Sequence, residues 1–196
     1  KKDYEAGRGG YYSEAKAAID KFTKDERFAL LQNLDKINEQ AKANDIYENV
    51  KKDLADGKQS IVVGNYSGEH TIKAGTKNSK YGYYEKTIPS EQTLLNAVAK
   101  KLEAEGIKVS RIYGGNKGGS YTKEQNDFQS GKTKVMLMTA KSGGTGINLD
   151  DVNGNAPRVM HIATSEYSGN KTEQLFGRVS RRNTKSPAEI KSYFFD

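Results

Sequence analysis

The sequence predicts an α/β fold, a parallel sheet flanked by helices, with a helical extension at the N-terminus. Short apolar runs typical of buried strands alternate with amphipathic segments between residues 60 and 195. Strands that alternate with helices form βαβ units, which give parallel strands covered on both faces. At 196 residues the chain suits one such domain together with the extension.

Residues 1–42 are predicted to be a polar lead-in followed by the helical extension. Helical periodicity begins after Ser13, and Thr23 and Glu26 have the spacing of a capping box. Apolar residues then recur at three- and four-residue spacing, which indicates one stripe along a helix. The stripe contains Leu30, Leu31, Leu34, Ile37 and Ala41.

Residues 43–196 are predicted to form the α/β domain itself. The predicted helices cover residues 45–56, 89–106, 122–129 and 171–182. The predicted strands cover residues 60–64, 108–113, 134–139, 158–163 and 190–195. After the first strand, residues 67–87 are polar and rich in tyrosine, and they predict an inserted hairpin.

Composition narrows the classes of function. The net charge of +7 favours a polyanionic partner, most often nucleic acid. The chain has no cysteine, which excludes disulfides, thiolate metal sites and cysteine nucleophiles, and His70 and His161 are too few for a multi-histidine metal site. No segment has the apolar length that spans a bilayer, and the N-terminus does not resemble a signal peptide. These features predict a soluble intracellular protein without membrane contact.

Residues 135–149 run from a predicted buried strand directly into a glycine-rich loop. Gly143, Gly144 and Gly146 lie within four positions there, directly after Lys141 and Ser142. Glycines let the backbone approach a ligand closely and present bare N–H groups to phosphate. Because a plain strand-to-helix turn uses one glycine, the segment indicates a phosphate or nucleotide contact.

A second segment, residues 172–182, predicts a helix with one functional face. Gln174, Arg178 and Arg181 stand at helical positions i, i+4 and i+7, so their side chains would share that face. Two guanidiniums and one amide form a fork suited to a triphosphate, although a solvated basic face is the alternative interpretation. The neighbours expected to support this face are Leu175 and Val179, which pack inward, and Gly177, which permits close backbone contact.

Both segments resemble motifs of superfamily 2 helicases. Thr139-x-x-Ser142-Gly143-Gly144-x-Gly146-x-Asn148-Leu149 is similar to their motif V, and Gln174-x-x-Gly177-Arg178-x-x-Arg181 resembles their motif VI. Upstream, residues 60–66 resemble motif IV, and residues 111–115 resemble the strand and turn known as motif IVa. The order and the spacing of these four motifs match those of superfamily 2 helicases, and the resemblance covers roughly residues 43–196.

Details of the motifs suggest particular branches of the superfamily. The glycine-rich motif V with Asn-Leu is similar to Swi/Snf-type translocases. Gln-Leu-Phe-Gly-Arg followed by Arg-Arg-Asn is closer to strawberry-notch-like and viral or phage helicases.

The resemblance implies that residues 43–196 are the second RecA-like domain of a motor and face a first domain across an ATP cleft. In that arrangement Arg178 and Arg181 are arginine fingers that stabilise charge on the transferred phosphoryl group, and Gln174 couples the two domains. Gly144 and Gly146 are expected near the nucleotide. The residues expected near the nucleic-acid backbone are Tyr66, Ser67, Gly114, Gly115, Thr139, Lys141 and Ser142.

The phosphate-binding motifs of a first domain are not found in these 196 residues. Gly131-Lys132-Thr133 imitates the end of a Gly-x4-Gly-Lys-Ser/Thr loop, but Asn126 stands where the first glycine belongs and a strand follows. We therefore expect an ordinary turn there. The first domain is expected elsewhere in the parent chain or in another subunit, where it would hold most of the ATP and Mg²⁺.

Alternatives to half of an ATP-dependent motor, with DNA favoured over RNA as its track, stay open. The chain could be a degenerate helicase-like domain that binds nucleic acid, or a virion or complex component, without ATP turnover. The intact Gln174/Arg178/Arg181 pattern argues against that reading. In residues 67–87, lysines and tyrosines suit a single strand, but a surface hairpin without function is the reading that we favour.

Overall fold

A computed structural model of the chain describes residues 24–74, 83–113, 119–143, 146–163 and 169–193. The helices are α1 (Lys24–Ala41), α2 (Ala43–Ala55), α3 (Leu94–Ala104), α4 (Gly119–Gln129), α5 (Ala140–Gly143) and α6 (Gly169–Phe176). The strands are β1 (Gln59–Gly64), β2 (His70–Ala74), β3 (Tyr84–Ile88), β4 (Val109–Ile112), β5 (Val135–Thr139), β6 (Arg158–Ile162) and β7 (Ala188–Ser192). A short 3-10 turn, Ser90–Gln92, precedes α3.

Five strands form one parallel sheet in the order β4-β5-β1-β6-β7. The central strand β1 pairs with β5 on one side and with β6 on the other. Each connection between the parallel strands carries helix, as the sequence predicts for βαβ units. The predicted α/β class, a parallel sheet flanked by helices, is therefore confirmed.

Both faces of the sheet are buried, and neighbouring residues of a strand contribute to opposite sides. Val62 and Leu137 belong to the core that α2 and α3 cover. Ile61 and Met136 belong to the core that α4 and α6 cover. Two-sided burial explains why residues 61–63 of β1 and 135–138 of β5 are continuous apolar runs without alternation in the sequence.

The hairpin predicted within residues 67–87 is present as an antiparallel pair, β2 with β3, whose register runs from His70↔Ile88 to Ala74↔Tyr84. It forms a separate small sheet on which α1 lies. The side-chain amide of Asn33 donates to the carbonyl of Lys73, and Lys36 Nζ donates to the carbonyl of Thr71 at 3.2 Å. The N-terminal extension is thus attached to the domain through polar contacts with the hairpin backbone.

The apolar stripe of α1 faces away from the domain. Leu31, Leu34 and Ile37 are 52%, 46% and 44% exposed, whereas the polar residues Asn33 and Glu39 of the same helix are buried. The backbone groups of the hairpin and of the loop after β1 need polar partners, which an apolar stripe does not supply. Ala41, the last residue of the predicted stripe, is also exposed, and the Thr23 capping position and the Leu30 side chain lie outside the described residues.

Two other predicted elements differ from the structure. The helix predicted over 171–182 ends at Phe176, and the glycine-rich segment after β5 begins with one helical turn, α5, instead of a loop. The segment 131–133 is the expected turn, with Gly131 at φ +76° and Lys132 paired with Asp127 at 3.0 Å. None of the helices among the described residues combines the length and the hydrophobicity needed to cross a bilayer.

Candidate functional site at the carboxyl edge of the sheet

The register of the sheet brings three predicted segments to one edge. Gly64, the last residue of β1, pairs with Thr139, the last residue of β5. Ile112, the last residue of β4, pairs with Met138. Since parallel strands end on the same side, the loops that begin after β1, β4 and β5 are neighbours. Ligands of open parallel sheets bind at this edge.

The loop after β1 contains the predicted residues Tyr66 and Ser67, and other elements hold it in place. Asn96 of α3 donates from Nδ2 to the carbonyl of Ser67 at 2.9 Å, and its Oδ1 accepts from the Tyr113 hydroxyl at 2.8 Å. The ring of Tyr66 lies 5.0 Å from that of His70. This places the Tyr66 loop next to the end of β4, where the predicted Gly114 and Gly115 begin outside the described residues.

Thr139 and Ser142 bind each other at the start of α5. The Thr139 hydroxyl donates to Oγ of Ser142 at 2.9 Å, and the same Oγ1 accepts from the backbone N–H of Ser142 at 3.2 Å. Thr139 therefore caps the helical turn that replaces the predicted loop. Lys141 lies between them on the turn and is exposed, so its ammonium group is open to an anion.

The glycine-rich segment continues beyond Gly144, which lies outside the described residues. Gly146 is exposed and has φ +71°, a conformation that side-chain-bearing residues rarely adopt. The chain then turns inward, and Ile147 and Leu149 are buried in the core. Gly146 is thus required by backbone conformation at the point where the segment leaves the edge.

The turn after α6 is joined to this segment by two hydrogen bonds. The N–H of Leu149 donates to the carbonyl of Arg178 at 2.9 Å, and Arg178 Nη1 donates to the carbonyl of Ile147 at 3.2 Å. Partial burial and then the charge of Arg181 lower the pKa of the Arg178 guanidinium. Segments predicted separately as motif V and motif VI therefore form one unit.

Gln174, Arg178 and Arg181 do not share one helical face, contrary to the prediction. Only Gln174, which is exposed, lies within α6; Arg178 follows in a turn, and Arg181 lies beyond it. Arg181 is also exposed, and its Nε donates to the carbonyl of Gly177 at 3.0 Å. The turn itself brings the two guanidiniums close enough for Arg181 to affect the pKa of Arg178.

The predicted support of this region is confirmed in part. Leu175 and Val179 are buried in the core, as expected. Gly177 does not permit an unusually close contact, because a Cβ atom there would lie 3.4 Å from the nearest carbonyl oxygen, an ordinary separation.

Sequence reasoning missed a buried arginine that holds the segment between α5 and β6. Arg158 Nε donates to the carbonyl of Leu149 at 2.9 Å, and Nη2 donates to Oε1 of Gln129 at 2.9 Å. Its guanidinium also lies 4.9 Å from the centre of the Phe128 ring. An arginine at the first position of an apolar strand carries no signal of such a role.

Asp151 was missed as well, although the sequence holds a signal for it. Its carboxylate accepts hydrogen bonds from the N–H groups of Asn153, Gly154 and Ala156 at 3.1, 2.8 and 3.0 Å, and from Ser186 Oγ at 2.6 Å. Burial opposes ionisation, but these four donors together lower the pKa of Asp151 to about 2. Asp-x-Asn-Gly is the pattern of an Asx turn, which predicts this local bonding.

The family model described as the helicase conserved C-terminal domain matches residues 41–183. The chain belongs to this helicase family. The predicted resemblance to superfamily 2 helicases is thereby confirmed. The match includes the loop after β1, the glycine-rich segment and the Arg178 turn, so the three segments at this edge are parts of the helicase C-terminal domain.

Solved structures show the same fold. The C-terminal part of the Fun30 ATPase domain is similar with a TM-score of 0.54 and 14% identity, over 76% of this chain and 39% of that one. Dbp5 of S. cerevisiae, solved bound to RNA and ADP BeF3, is similar with a TM-score of 0.50 and 18% identity. The match covers 81% of this chain and 34% of the Dbp5 chain. This chain thus spans little more than a third of the length of either protein. No curated protein matches its sequence.

Proposed function

We propose that this helicase C-terminal domain is the second motor domain of an ATP-dependent nucleic-acid helicase or translocase. In this role Arg178 and Arg181 act on the nucleotide, and the loops after β1 and β5 contact the nucleic-acid backbone. The observation that carries the proposal is the joined Arg178–Ile147 unit, which holds a half-buried guanidinium beside a second one at the edge of the domain.

Two neighbouring guanidiniums repel each other, and partial burial adds to the cost. The lowered pKa of Arg178 reflects both effects. An anion placed between Arg178 and Arg181 would relieve the repulsion, and bidentate donors suit phosphoryl oxygens. This supports the role of arginine fingers, which stabilise charge on a transferred phosphoryl group. ATP and Mg²⁺ would be held mainly by a first RecA-like domain, and Gln174 would face that domain.

The nucleic-acid contacts are proposed at the loops after β1 and β5. Tyr66 and Ser67 lie on one loop and Thr139, Lys141 and Ser142 on the next, because β1 and β5 are adjacent. Exposed Lys141 offers charge, while backbone and hydroxyl groups offer donors, a set that suits phosphates and does not read bases. Gly114 and Gly115 complete the proposed set, whereas Gly144 and Gly146 are proposed near the nucleotide. DNA is proposed over RNA as the partner.

The decisive experiment removes Arg178 from the parent protein that contains both motor domains. Arg178→Ala should lower ATP turnover on the order of 10³-fold, the usual contribution of an arginine finger, while ATP and nucleic acid still bind. Arg182→Ala, which removes an exposed arginine from the same region, is the matched control and should retain turnover. Near-normal turnover in Arg178→Ala would reject the finger and leave a helicase-like binding domain.

The 196-residue chain by itself should hydrolyse no ATP above background, because its sequence has neither phosphate-binding motif of a first domain. Steady phosphate release measured with the purified chain, and abolished by Arg178→Ala, would contradict this assignment of the catalytic groups.

A further inference from the structure

The carboxylate of Glu39, near the end of α1, lies against the loop that follows β1. Its Oε2 accepts from the N–H of Asn65 at 2.7 Å, and its Oε1 accepts from the N–H of Tyr66 at 3.1 Å. The side chain is only 2% exposed. Glu39 therefore accepts hydrogen bonds from two consecutive backbone donors of the loop after β1.

Gly64 provides the space for this contact. A Cβ atom at Gly64 would lie 2.7 Å from Glu39 Oε1, closer than real Cβ atoms approach an oxygen. The backbone at Gly64 is otherwise an ordinary strand end, since its φ is not positive. The glycine at the end of β1 is thus explained by the carboxylate of α1.

A second side chain of the same region reaches the next loop. Lys42 Nζ donates to the carbonyl of Ala163, directly after β6, at 2.7 Å. Ala163 in turn donates its N–H to the carbonyl of Val63 in β1 at 3.0 Å. Lys42, the residue between α1 and α2, therefore connects the exits of β1 and β6.

We propose that Glu39 is a positioning residue for the nucleic-acid contact, holding the backbone of Tyr66 and thereby the conformation of the Tyr66–Ser67 loop. The proposal rests on the proposed function, because it assigns Tyr66 and Ser67 to the strand backbone. The proposal gives α1 a part in nucleic-acid binding, although all of α1 except Ala41 lies outside the family match.

Ionisation of Glu39 controls the strength of this hold. The carboxylate accepts from both N–H groups with its full charge, whereas a protonated carboxyl is neutral and its hydroxyl oxygen is a weaker acceptor. Burial raises the pKa of Glu39 to about 7, although the N–H groups of Asn65 and Tyr66 and the charge of Lys42 oppose the rise and Asp35 adds to it. Lys36 Nζ lies 5.8 Å from the centre of the Tyr66 ring, the His70 ring lies beside it, and the exposed Glu69 lies in the same loop.

The first experiment measures the contact itself by NMR in the 196-residue chain. The amide protons of Asn65 and Tyr66 should shift between pH 6 and pH 8 with a midpoint of about 7, as Glu39 ionises. In Glu39→Gln this titration should disappear while amide signals of the central strands stay in place. Glu48→Gln, which alters an exposed glutamate of α2, should titrate like the unaltered chain. An unchanged titration in Glu39→Gln would overturn the contact.

The second experiment measures affinity for a labelled single-stranded oligothymidylate at low salt. Glu39→Gln should bind on the order of tenfold more weakly than the unaltered chain at pH 8, because one of two charge-assisted bonds is lost. At pH 6 the two affinities should converge, because Glu39 is then protonated in the unaltered chain. Because both proteins share every other group at the loop, the ratio of their affinities isolates the effect of Glu39.

The outcomes separate the two proposals. Equal affinity of Glu39→Gln and the unaltered chain at pH 8 overturns the positioning role and leaves the proposed function standing. Failure of the unaltered chain to bind any single strand at low salt overturns the proposed function, and the positioning role with it. A loss in Glu39→Gln that is the same at both pH values also overturns the positioning role, since a merely structural defect would not follow the ionisation of Glu39.

Discussion

The guanidinium of Arg178 and the carbonyl oxygen of Ile147 are joined by a 3.2 Å hydrogen bond between positions 31 residues apart in the chain. With the Leu149–Arg178 backbone bond, it joins the glycine-rich segment to the turn after α6. This coupling distinguishes Arg178 from Arg181, whose Nε donates to the carbonyl of Gly177 within the same turn.

Arg181→Ala should separate a catalytic role from a structural one. The side chain is exposed, so the free energy of unfolding should change by less than about 0.5 kcal/mol, as for most surface substitutions. ATP turnover of the two-domain parent protein should nevertheless fall on the order of 10³-fold. Urea unfolding and a phosphate-release assay measure the two effects. If the ATP turnover of Arg181→Ala stays within about threefold of that of the unaltered protein, Arg181 is not an arginine finger.

Binding of the 196-residue chain to single strands should weaken steeply with salt and depend little on sequence. For about three phosphate contacts, affinity should fall on the order of tenfold between about 50 mM and about 200 mM salt. Lys141→Ala should reduce the slope of the logarithm of affinity against the logarithm of salt concentration by about 0.7, the contribution of one phosphate contact. Lys52→Ala, at the other edge of the sheet, should leave the slope unchanged. A slope near zero would contradict backbone recognition.

Asp151→Asn should destabilise the domain without touching the proposed ligand contacts. One carboxylate oxygen accepts from Asn153 and Gly154, and the other accepts from Ala156 and Ser186. The NH₂ group of asparagine replaces one of these oxygens and cannot accept, so one of the two pairs of bonds is lost. Losing two hydrogen bonds to a charged group should lower the free energy of unfolding by about 3–6 kcal/mol. Urea denaturation checks this, with exposed Asp56→Asn as the control. A change as small as that of the control would show that the loop is held otherwise.

The sheet could be predicted from the sequence because strands that are buried on both faces consist mainly of apolar residues. Ile61, Val62 and Val63 are all fully buried, so the middle of β1 is an uninterrupted apolar run in the sequence. Apolar periodicity likewise predicted α2, where Ile46 and Val50 face the core. Periodicity did not reveal which side of α1 is buried, because the partners of α1 are backbone groups that select Asn33 and Glu39.

The end of α6 could not be predicted because a contact distant in sequence sets it. Helical spacing continues past Phe176 in the sequence, but the carbonyl of Arg178 is used by Leu149. The last turn tightens accordingly, with the N–H groups of Arg178 and Val179 bonded three residues back. Residue types of the site were therefore predictable, whereas their arrangement depended on the fold of the glycine-rich segment.

A buried polar cluster joins α2, β6 and the residue after β7. His161 is fully buried, with Nε2 2.7 Å from Asp53 Oδ2 and Nδ1 2.7 Å from the Tyr193 hydroxyl. Burial lowers the pKa of His161 to about 4 despite the charge of Asp53, and burial raises the pKa of Tyr193 to about 12. The imidazole is therefore neutral at pH 7, accepting from Tyr193 and turning its N–H towards Asp53. Lys191 neutralises the other oxygen of Asp53 at 2.8 Å.

His161 and Glu39 should give the stability of the domain opposite dependences on pH. The folded-state pKa of His161 lies at about 4, below its ordinary value, so the unfolded chain binds more protons and stability rises with pH from 4 to about 6.5. The pKa of Glu39 is raised to about 7, so its contribution is present at low pH and is lost as pH rises from about 4.5 to 7. Between pH 4.5 and 6.5 the two slopes should nearly cancel in the unaltered chain.

Urea unfolding should then show stability falling with pH in His161→Gln and rising with pH in Glu39→Gln, each by up to about 1.4 kcal/mol per pH unit. Parallel profiles for the two variants would show that neither group titrates as its burial requires.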